Sequence, residues 1–192
     1  MQEFPTGPHD LIADIGGTNA RFARVDAHRR IYAEQILACA DFTGLTAAAT
    51  AYLQATGGPR PTRAAIAVAT PITGDWIQFT NSHWSFSTET ARRELGLEQL
   101  LILNDFTAFA LSLPLLGANE RRAVGGGAAV AGEPIGLIGA GTGLGVSGLV
   151  WSGDRWLPLQ TEGGHVTFSP TDGREWAIGQ ILRRRFGHVS PE

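Results

Sequence analysis

The 192-residue sequence contains no lysine, so every basic side chain other than histidine is an arginine. A Walker A loop needs a lysine that reaches the phosphates, and protein kinases need a strand lysine for the same purpose. The absence of lysine therefore excludes both classes, together with chemistry that proceeds through a Schiff base. Any phosphate that this chain binds must be held by backbone amides, hydroxyl groups and a metal ion.

Cysteine is almost as scarce, because Cys39 is the only one. One thiol excludes an intrachain disulfide and a cysteine-based zinc site, and its place beside an apolar run predicts a small buried side chain. The net charge of -3 gives no electrostatic argument for binding nucleic acid or an anionic membrane. Residues 1–10 lack the apolar segment of a signal peptide, and no apolar run is long enough to span a membrane. We therefore expect a cytoplasmic protein.

Glycine, in contrast, is concentrated in two turns of the same design. Residues 14–19 read DIGGTN, residues 139–145 read GAGTGLG, and each segment lies between two apolar or alternating runs. This pattern predicts a strand, a turn and a strand in both places. Glycine lets backbone N–H groups approach an anion, and Thr18 and Thr142 each add a hydroxyl donor. The two turns could hold one polyphosphate between two related halves, whereas either turn alone is equally typical of a tight hairpin.

The apolar pattern predicts strands that alternate with helices. Continuous apolar runs at residues 64–69 and 100–103 indicate strands buried on both faces. We expect further strands at 11–14, 20–25 and 31–37, a meander over 123–159, and helices over 42–54, 87–95, 106–116 with a break at Pro114, and 172–186. This order is typical of an α/β fold with a mostly parallel sheet. The predicted domains are a flexible tail at 1–10, a small α/β domain at 11–116 and the first part of a large α/β domain at 117–192.

Asn104 and Asp105 follow the apolar run at residues 100–103. In open α/β sheets, ligands bind at the carboxyl ends of the strands, so this pair is placed at a binding edge. A carboxylate beside an amide can accept a proton from a substrate hydroxyl. The structural alternative is that Asp105 only caps the helix predicted to follow it.

Other polar residues also have more than one interpretation. Glu162 and His165, separated by two glycines, suit a polyhydroxyl ligand, a metal ion or an ordinary polar turn. Asp14 is placed to hold Mg²⁺ through water beside the phosphates, or to support the glycine turn through its side chain. The polar and aromatic segments at 71–76 and 80–84 suit sugar recognition, and are equally typical of surface turns.

Taken in order, these motifs resemble those of the bacterial ATP-dependent glucokinases. The resemblance extends over nearly the whole chain from Leu11 onward, and it rests on residues 14–21, 71–76, 104–108, 139–146, 162–165 and 187–190. It implies an actin-like ATPase, or ribonuclease H-like, sugar-kinase fold with two α/β domains and a cleft between them. The implied reaction is transfer of a phosphoryl group from MgATP to the 6-hydroxyl of glucose. The cysteine-rich zinc motif of the ROK sugar kinases is missing, so the sequence resembles the other branch.

The resemblance also assigns roles to individual residues. The implied cofactors are ATP and Mg²⁺, the implied partner is glucose, and the implied assembly is a homodimer. Asp105 is the implied catalytic base, and Asp14 is the implied contact to Mg²⁺ through water. Sugar contacts are implied for Asn104, Asp105, Glu162, His165 and Glu192, and contacts to the phosphates for Asp14, Gly16, Gly17, Thr18, Asn19, Gly141, Thr142 and Gly143.

Members of this family run well beyond the position of Glu192, so the resemblance predicts that the sequence is a fragment that lacks the adenosine-binding loop. We accordingly expect little glucokinase activity from residues 1–192 alone. Related functions stay open at this point. They are another sugar kinase of the superfamily, such as a fructokinase or an N-acyl-hexosamine kinase, an exopolyphosphatase, and a sugar-binding chain without catalysis.

Overall fold

A computed structural model describes residues 7, 9–80, 82–141 and 143–191. The chain separates into two compact units, Met1–Asp105 and Phe106–Glu192. Both units combine strands with helices, which confirms the predicted α/β class.

The first unit is a sheet with two helices. Its elements are β1 (Asp10–Ile15), β2 (Asn19–Val25), β3 (Ile31–Ala38), α1 (Leu45–Thr56), β4 (Arg63–Val68), β5 (Trp76–Gln78), β6 (Ser85–Ser87), α2 (Thr88–Glu94) and β7 (Gln99–Asn104). The main sheet has the order β3-β2-β1-β4-β7, and β5 pairs with β6 in a separate hairpin. The strands predicted at residues 11–14, 20–25 and 31–37 are confirmed as β1, β2 and β3.

Parallel pairing places three strand ends together. β1 runs parallel to β4, and β4 runs parallel to β7, while β2 is antiparallel to both β1 and β3. In this register Ile15 pairs with Val68, and Val68 pairs with Asn104. The glycine turn that follows β1 and the polar pair that follows β7 therefore leave the sheet at the same edge.

One face of this sheet is covered by α1 and α2. Leu45, Ala48, Ala49 and Tyr52 of α1 are buried in one cluster with the inward side chains of β1, β2 and β4. The other face is covered less, because Leu101 of β7 is 53% exposed and the alternate residues of β4 are half-buried. The prediction that β4 and β7 are buried on both faces is therefore wrong.

The first helix also begins later than predicted. Residues 39–41 form a 3-10 turn and Phe42 is extended, so α1 starts only at Leu45. The first buried residue of α1 is Leu45, three residues after Phe42, where the predicted helix began. Trp84, which lies in the predicted polar and aromatic segment at 80–84, belongs to the core of the first unit. It is fully buried, and its indole N–H donates to the carbonyls of Cys39 and Phe42 at 3.1 Å each.

Helix α3 (Asp105–Ser112) starts at the last residue of the first unit and continues into the second, where β8 (Ile135–Ala140), β9 (Leu144–Trp151), β10 (Trp156–Leu159) and α4 (Gly173–Phe186) follow. A 3-10 turn that contains Pro114 comes directly after α3, as the predicted break requires. β8, β9 and β10 form an antiparallel meander. The predicted meander began at residue 123, but residues 123–134 form no strand; this glycine-rich segment is exposed, so no buried face favours pairing there.

The core of the second unit is small, and α3 contributes to it. Ala110 is fully buried with Leu137 and Leu149, and Phe106 packs against the same cluster. This packing explains why α3 groups with the second unit, although the sequence placed residues 106–116 in the small domain. α4 begins where its capping residue predicts, since the Asp172 carboxylate accepts a hydrogen bond from the Glu175 amide at 2.8 Å. Among the described residues, no helix is both long enough and apolar enough to cross a membrane.

A buried arginine joins the sheet of the first unit to the end of α1. Arg24 of β2 is 1% exposed, and its guanidinium donates to the carbonyl of Pro59 at 2.6 Å and to that of Gly57 at 2.5 Å. These carbonyls lie just past the last turn of α1, where helix backbone acceptors lack partners within the helix. Arg24 therefore supplies hydrogen-bond donors to the carbonyls of Gly57 and Pro59 from a distant part of the chain.

We predict that Arg24→Met lowers the free energy of unfolding by about 1–3 kcal/mol, because it removes two hydrogen bonds that a buried guanidinium donates. Arg63→Met is the matched control, since Arg63 is 56% exposed and forms only a surface ion pair with Asp10. That control should cost less than about 1 kcal/mol. Urea denaturation followed by circular dichroism measures both, and equal losses for the two variants would contradict the role given to Arg24.

Candidate functional site

The first glycine turn joins β1 to β2 and accepts hydrogen bonds from Cys39. The amide of Gly16 donates to the carbonyl of Asn19 at 3.0 Å, which closes the turn. The Cys39 amide donates to the carbonyl of Thr18 at 2.8 Å, and its thiol lies 3.5 Å from the carbonyl of Gly16. A methyl group at Gly16 would meet no atom closer than 3.9 Å, so the backbone there has free space beside it. The turn is thus a tight hairpin whose backbone stays accessible.

Asp14 lies at the end of β1 with an exposed carboxylate. Arg21, its partner residue across the strands, donates to that carboxylate at 3.1 Å, and both side chains are more than half exposed. One accessible carboxylate suits Mg²⁺, which keeps several waters and takes its other ligands from substrate phosphates. The described residues contain no cluster of three or more histidine, cysteine or acidic side chains that would form an all-protein metal site.

Asn104 and Asp105 are linked to each other and to the end of β4. The Asn104 amide nitrogen donates to the Asp105 carboxylate at 3.0 Å and lies 3.4 Å from the carbonyl of Thr70. Thr70 is 5% exposed, and its hydroxyl donates to the carbonyl of Gln78 at 2.9 Å. Asp105 is also the first residue of α3, where the positive end of a helix favours a carboxylate.

The segment that follows β4 contacts both the first glycine turn and the Asn104–Asp105 pair. The amide of Ala69 donates to the carbonyl of Ile15, the last residue before the glycine turn, at 3.1 Å. The next residue, Thr70, is the one whose carbonyl faces the Asn104 amide. The first unit therefore brings the predicted phosphate residues at 14–19 and the predicted polar pair to one edge of its sheet.

Sequence reasoning missed Thr70, although a signal was available. Thr70 follows directly after the apolar run that predicted β4, and the rule that ligands bind at strand carboxyl ends applies to it as it does to Asn104. The contacts of Arg21 and Cys39 had no comparable local signal. Arg21 meets Asp14 because β1 and β2 pair in this register, and Cys39 reaches the turn from the end of β3.

The second glycine turn joins β8 to β9 within the second unit. The amide of Gly141 donates to the carbonyl of Gly143 at 2.8 Å, and a methyl group at Gly141 would meet no atom within 4 Å. Both predicted turns therefore have the strand, turn and strand arrangement. Thr142, which the sequence assigns to the phosphates, lies outside the described residues.

Glu162 and His165 are both exposed and flank a 3-10 turn that rests on β9. The hydroxyl of Thr161 donates to the carbonyl of Val146 at 2.6 Å, and the His165 amide donates to the Glu162 carbonyl at 3.0 Å. A methyl group at Gly163 would come within 2.7 Å of the Val146 side chain, so the close approach depends on glycine.

The end of the described chain returns to this turn. The His188 imidazole lies 3.1 Å from the carbonyl of His165, and the Phe168 amide donates to the carbonyl of Val189 at 2.8 Å. Residues 187–190, one of the motifs in the sequence, therefore support the segment that follows Glu162. Glu192, predicted as a further sugar contact, lies outside the described residues.

Comparison with known proteins decides the family. A family model described as Glucokinase matches residues 11–192. The chain belongs to the glucokinase family. It is 50% identical to the glucokinase of Neisseria meningitidis over 182 residues, which cover 95% of this chain and 56% of the relative. It is 51% identical to the glucokinase of Aromatoleum aromaticum over 196 residues, which cover 98% of this chain and 59% of the relative.

A solved glucokinase structure agrees with this assignment. The glucokinase from an Antarctic psychrotroph superposes with a TM-score of 0.82 at 35% identity, and the match covers 97% of this chain and 60% of that one. The actin-like ATPase fold expected for a glucokinase is thereby confirmed. This glucokinase-family chain spans a little more than half the length of these three relatives.

We predict that the thiol behind the first glycine turn is unreactive in the folded protein. Cys39 is 2% exposed, and burial raises the pKa of its thiol, so at neutral pH it carries even less of the reactive thiolate than a free cysteine. The rate at which the Cys39 thiol reacts with a disulfide reagent should be at least about 100-fold lower in native protein than in urea, with Cys39→Ser as the blank. A native rate equal to that of a free thiol would contradict the packing described.

Proposed function

We propose that the protein from which this chain comes transfers a phosphoryl group from MgATP to the 6-hydroxyl of glucose. The observation that carries the proposal is that one sheet edge holds both the first glycine turn and the Asn104–Asp105 pair. A phosphoryl-transfer site needs backbone donors for phosphate together with a base for the acceptor hydroxyl. Membership of the glucokinase family, with about 50% identity to two glucokinases, supports glucose as the acceptor.

In this proposal Asp105 accepts the proton of the sugar hydroxyl as that oxygen attacks the γ-phosphate. The hydrogen bond from Asn104 holds the carboxylate in one orientation, and the contact of Asn104 with the Thr70 carbonyl holds the amide. Phosphoryl transfer depends mainly on positioning and electrostatics, and a positioned base typically adds about 10²–10⁴-fold. The main contribution proposed for this sheet edge is therefore to position the Asp105 carboxylate relative to the acceptor hydroxyl.

The phosphates would be bound without lysine. In this proposal, backbone amides around Gly16 and Gly17 and the hydroxyl of Thr18 would donate hydrogen bonds to the phosphates, and the same role is proposed for Gly141, Thr142 and Gly143 of the second glycine turn. Asp14 would hold Mg²⁺ through water, and the ion would neutralise charge on the phosphates. The Arg21 guanidinium donates to the same carboxylate at 3.1 Å.

Glu162 and His165 would contact the sugar hydroxyls, together with Asn104 and Glu192. A carboxylate accepts hydrogen bonds and an imidazole either accepts or donates them, so the pair suits a polyhydroxyl ligand better than polyphosphate. The homodimer implied by the resemblance and the cytoplasmic location expected from the absence of a signal peptide or membrane span stay predictions.

We predict that Asp105→Asn in the protein produced from its natural gene lowers kcat by at least about 10²-fold and leaves the Kd for glucose within about three-fold. The amide keeps the size and most hydrogen bonds of the carboxylate but cannot take the proton. Steady-state kinetics and isothermal titration calorimetry measure the two quantities. Near-normal turnover would refute Asp105 as the base, whereas loss of both turnover and glucose binding would indicate a binding role.

We also predict that glucose is the preferred acceptor in a coupled assay of the same protein against glucose, fructose, mannose and N-acetylhexosamines with MgATP. The reason is the family assignment combined with the accessible Glu162 and His165. Preference for fructose or an amino sugar would assign another sugar kinase of this fold. Glucose binding without any turnover would assign a sugar-binding protein.

A further inference from the structure

The aromatic ring that follows Asp105 lies on the hairpin that carries the second glycine turn. Phe106 is the second residue of α3, and its ring packs over β8 and β9 where Gly139 pairs with Gly145. These two glycines lie within β8 and β9, each one residue from the end of its strand at the turn. The sequence pattern includes them in the second glycine turn, but only Gly141, Thr142 and Gly143 are assigned to the phosphates. Their positions serve a different purpose.

Space for the ring exists only because both positions lack a side chain. A methyl group at Gly139 would lie 2.8 Å from two carbons of the Phe106 ring, and one at Gly145 would overlap three ring carbons outright. By contrast, methyl groups at Gly136 and Gly141 of the same hairpin would meet no atom within 4 Å. We call Gly139 and Gly145 the glycine slot.

The ring is partly buried and also makes contacts outside the hairpin. Phe109, one helical turn later, meets it edge to face with centroids 6.3 Å apart, and the buried cluster of Ala110, Leu137 and Leu149 packs against it. A large ring that packs between glycine backbone and a core cluster has fewer alternative rotamers than an exposed ring. The slot therefore fixes where the first turn of α3 meets the hairpin.

We propose that Phe106 is a positioning residue for the reaction, and that Gly139 and Gly145 are retained for its ring and not for phosphate. Asp105 precedes Phe106 in the same helical turn, so the backbone that carries the proposed base has little freedom to shift while the ring occupies the slot. This inference rests on the proposed function of Asp105. A displacement of about 1 Å at a reacting group can cost about 10²-fold in rate, so a modest shift of this turn affects catalysis strongly.

The test uses glycine-to-alanine variants of the protein produced from its natural gene. Gly145→Ala should lower kcat by about 10–100-fold and leave the KM for glucose within about three-fold, because the ring leaves the slot while the sugar contacts remain. Gly136→Ala is the matched control, in the same hairpin but facing open space, and it should keep kcat within about two-fold. Equal effects of the two variants would overturn the proposal.

A double-mutant comparison separates the slot from a general loss of stability. Phe106→Leu alone should lower kcat by about ten-fold, and Phe106→Leu with Gly145→Ala should be no worse than Gly145→Ala alone, because the ring has already left the slot. The thermal midpoints should show the same non-additivity, and this readout needs no activity. If Gly145→Ala fails to fold, the milder Gly139→Ala takes its place in the comparison.

The outcomes also distinguish this inference from the proposed function. Strictly additive changes in the thermal midpoint would overturn the glycine slot, whatever the protein catalyses. A wild-type protein that phosphorylates no hexose, with non-additive midpoints, would overturn the proposed function and the catalytic purpose of Phe106 while leaving the slot as a packing feature. Active wild type with an unchanged kcat in folded Gly145→Ala would overturn the positioning role alone.

Discussion

The arrangement of the first unit depends on the parallel pairing of β1, β4 and β7. Parallel strands in register end at the same edge, so Ile15, Val68 and Asn104 are neighbours although they come from distant parts of the chain. Everything proposed for this unit follows from that register: the glycine turn, the Thr70 carbonyl and the Asn104–Asp105 pair all leave the sheet there. A shift of one residue in either pairing would turn the side chains at the strand ends to the opposite face.

In the proposed function the phosphates are bound by backbone amides of two glycine turns, and both turns are supported by other parts of the chain. Cys39 donates to two carbonyls of the first turn, and Phe106 packs against the two strands that the second turn joins. Such support matters because glycine alone makes a flexible turn, whose ordering would cost free energy when a ligand binds. Rigid neighbours reduce that cost.

The two units differ in how much of their apolar surface they bury. The first has a continuous core around Trp84, Tyr52 and the inward residues of the sheet, whereas the buried cluster of the second contains only Ala110, Leu137 and Leu149 among the described residues. In the second unit large apolar side chains such as Trp176 and Ile181 of α4 are more than half exposed. The shape of the second unit therefore rests more on hairpin register, caps and glycine contacts than on a core.

The sequence by itself determined most strands of the main sheet, the glycine turns and the family, because apolar runs, glycine placement and capping are local signals. It placed α4 at Asp172 and the break at Pro114 correctly for the same reason. Three predictions from the sequence were wrong: burial of β4 and β7 on both faces, the start of α1, and a strand from residue 123. These features depend on which other elements cover a segment, and a local pattern does not contain that information. Only the tertiary structure assigned Arg24 to the end of α1, Cys39 to the first turn and the Gly139–Gly145 pair to Phe106. Each of these contacts joins residues far apart in the chain, and nothing in a local pattern states which side chain will arrive opposite a glycine or a free carbonyl.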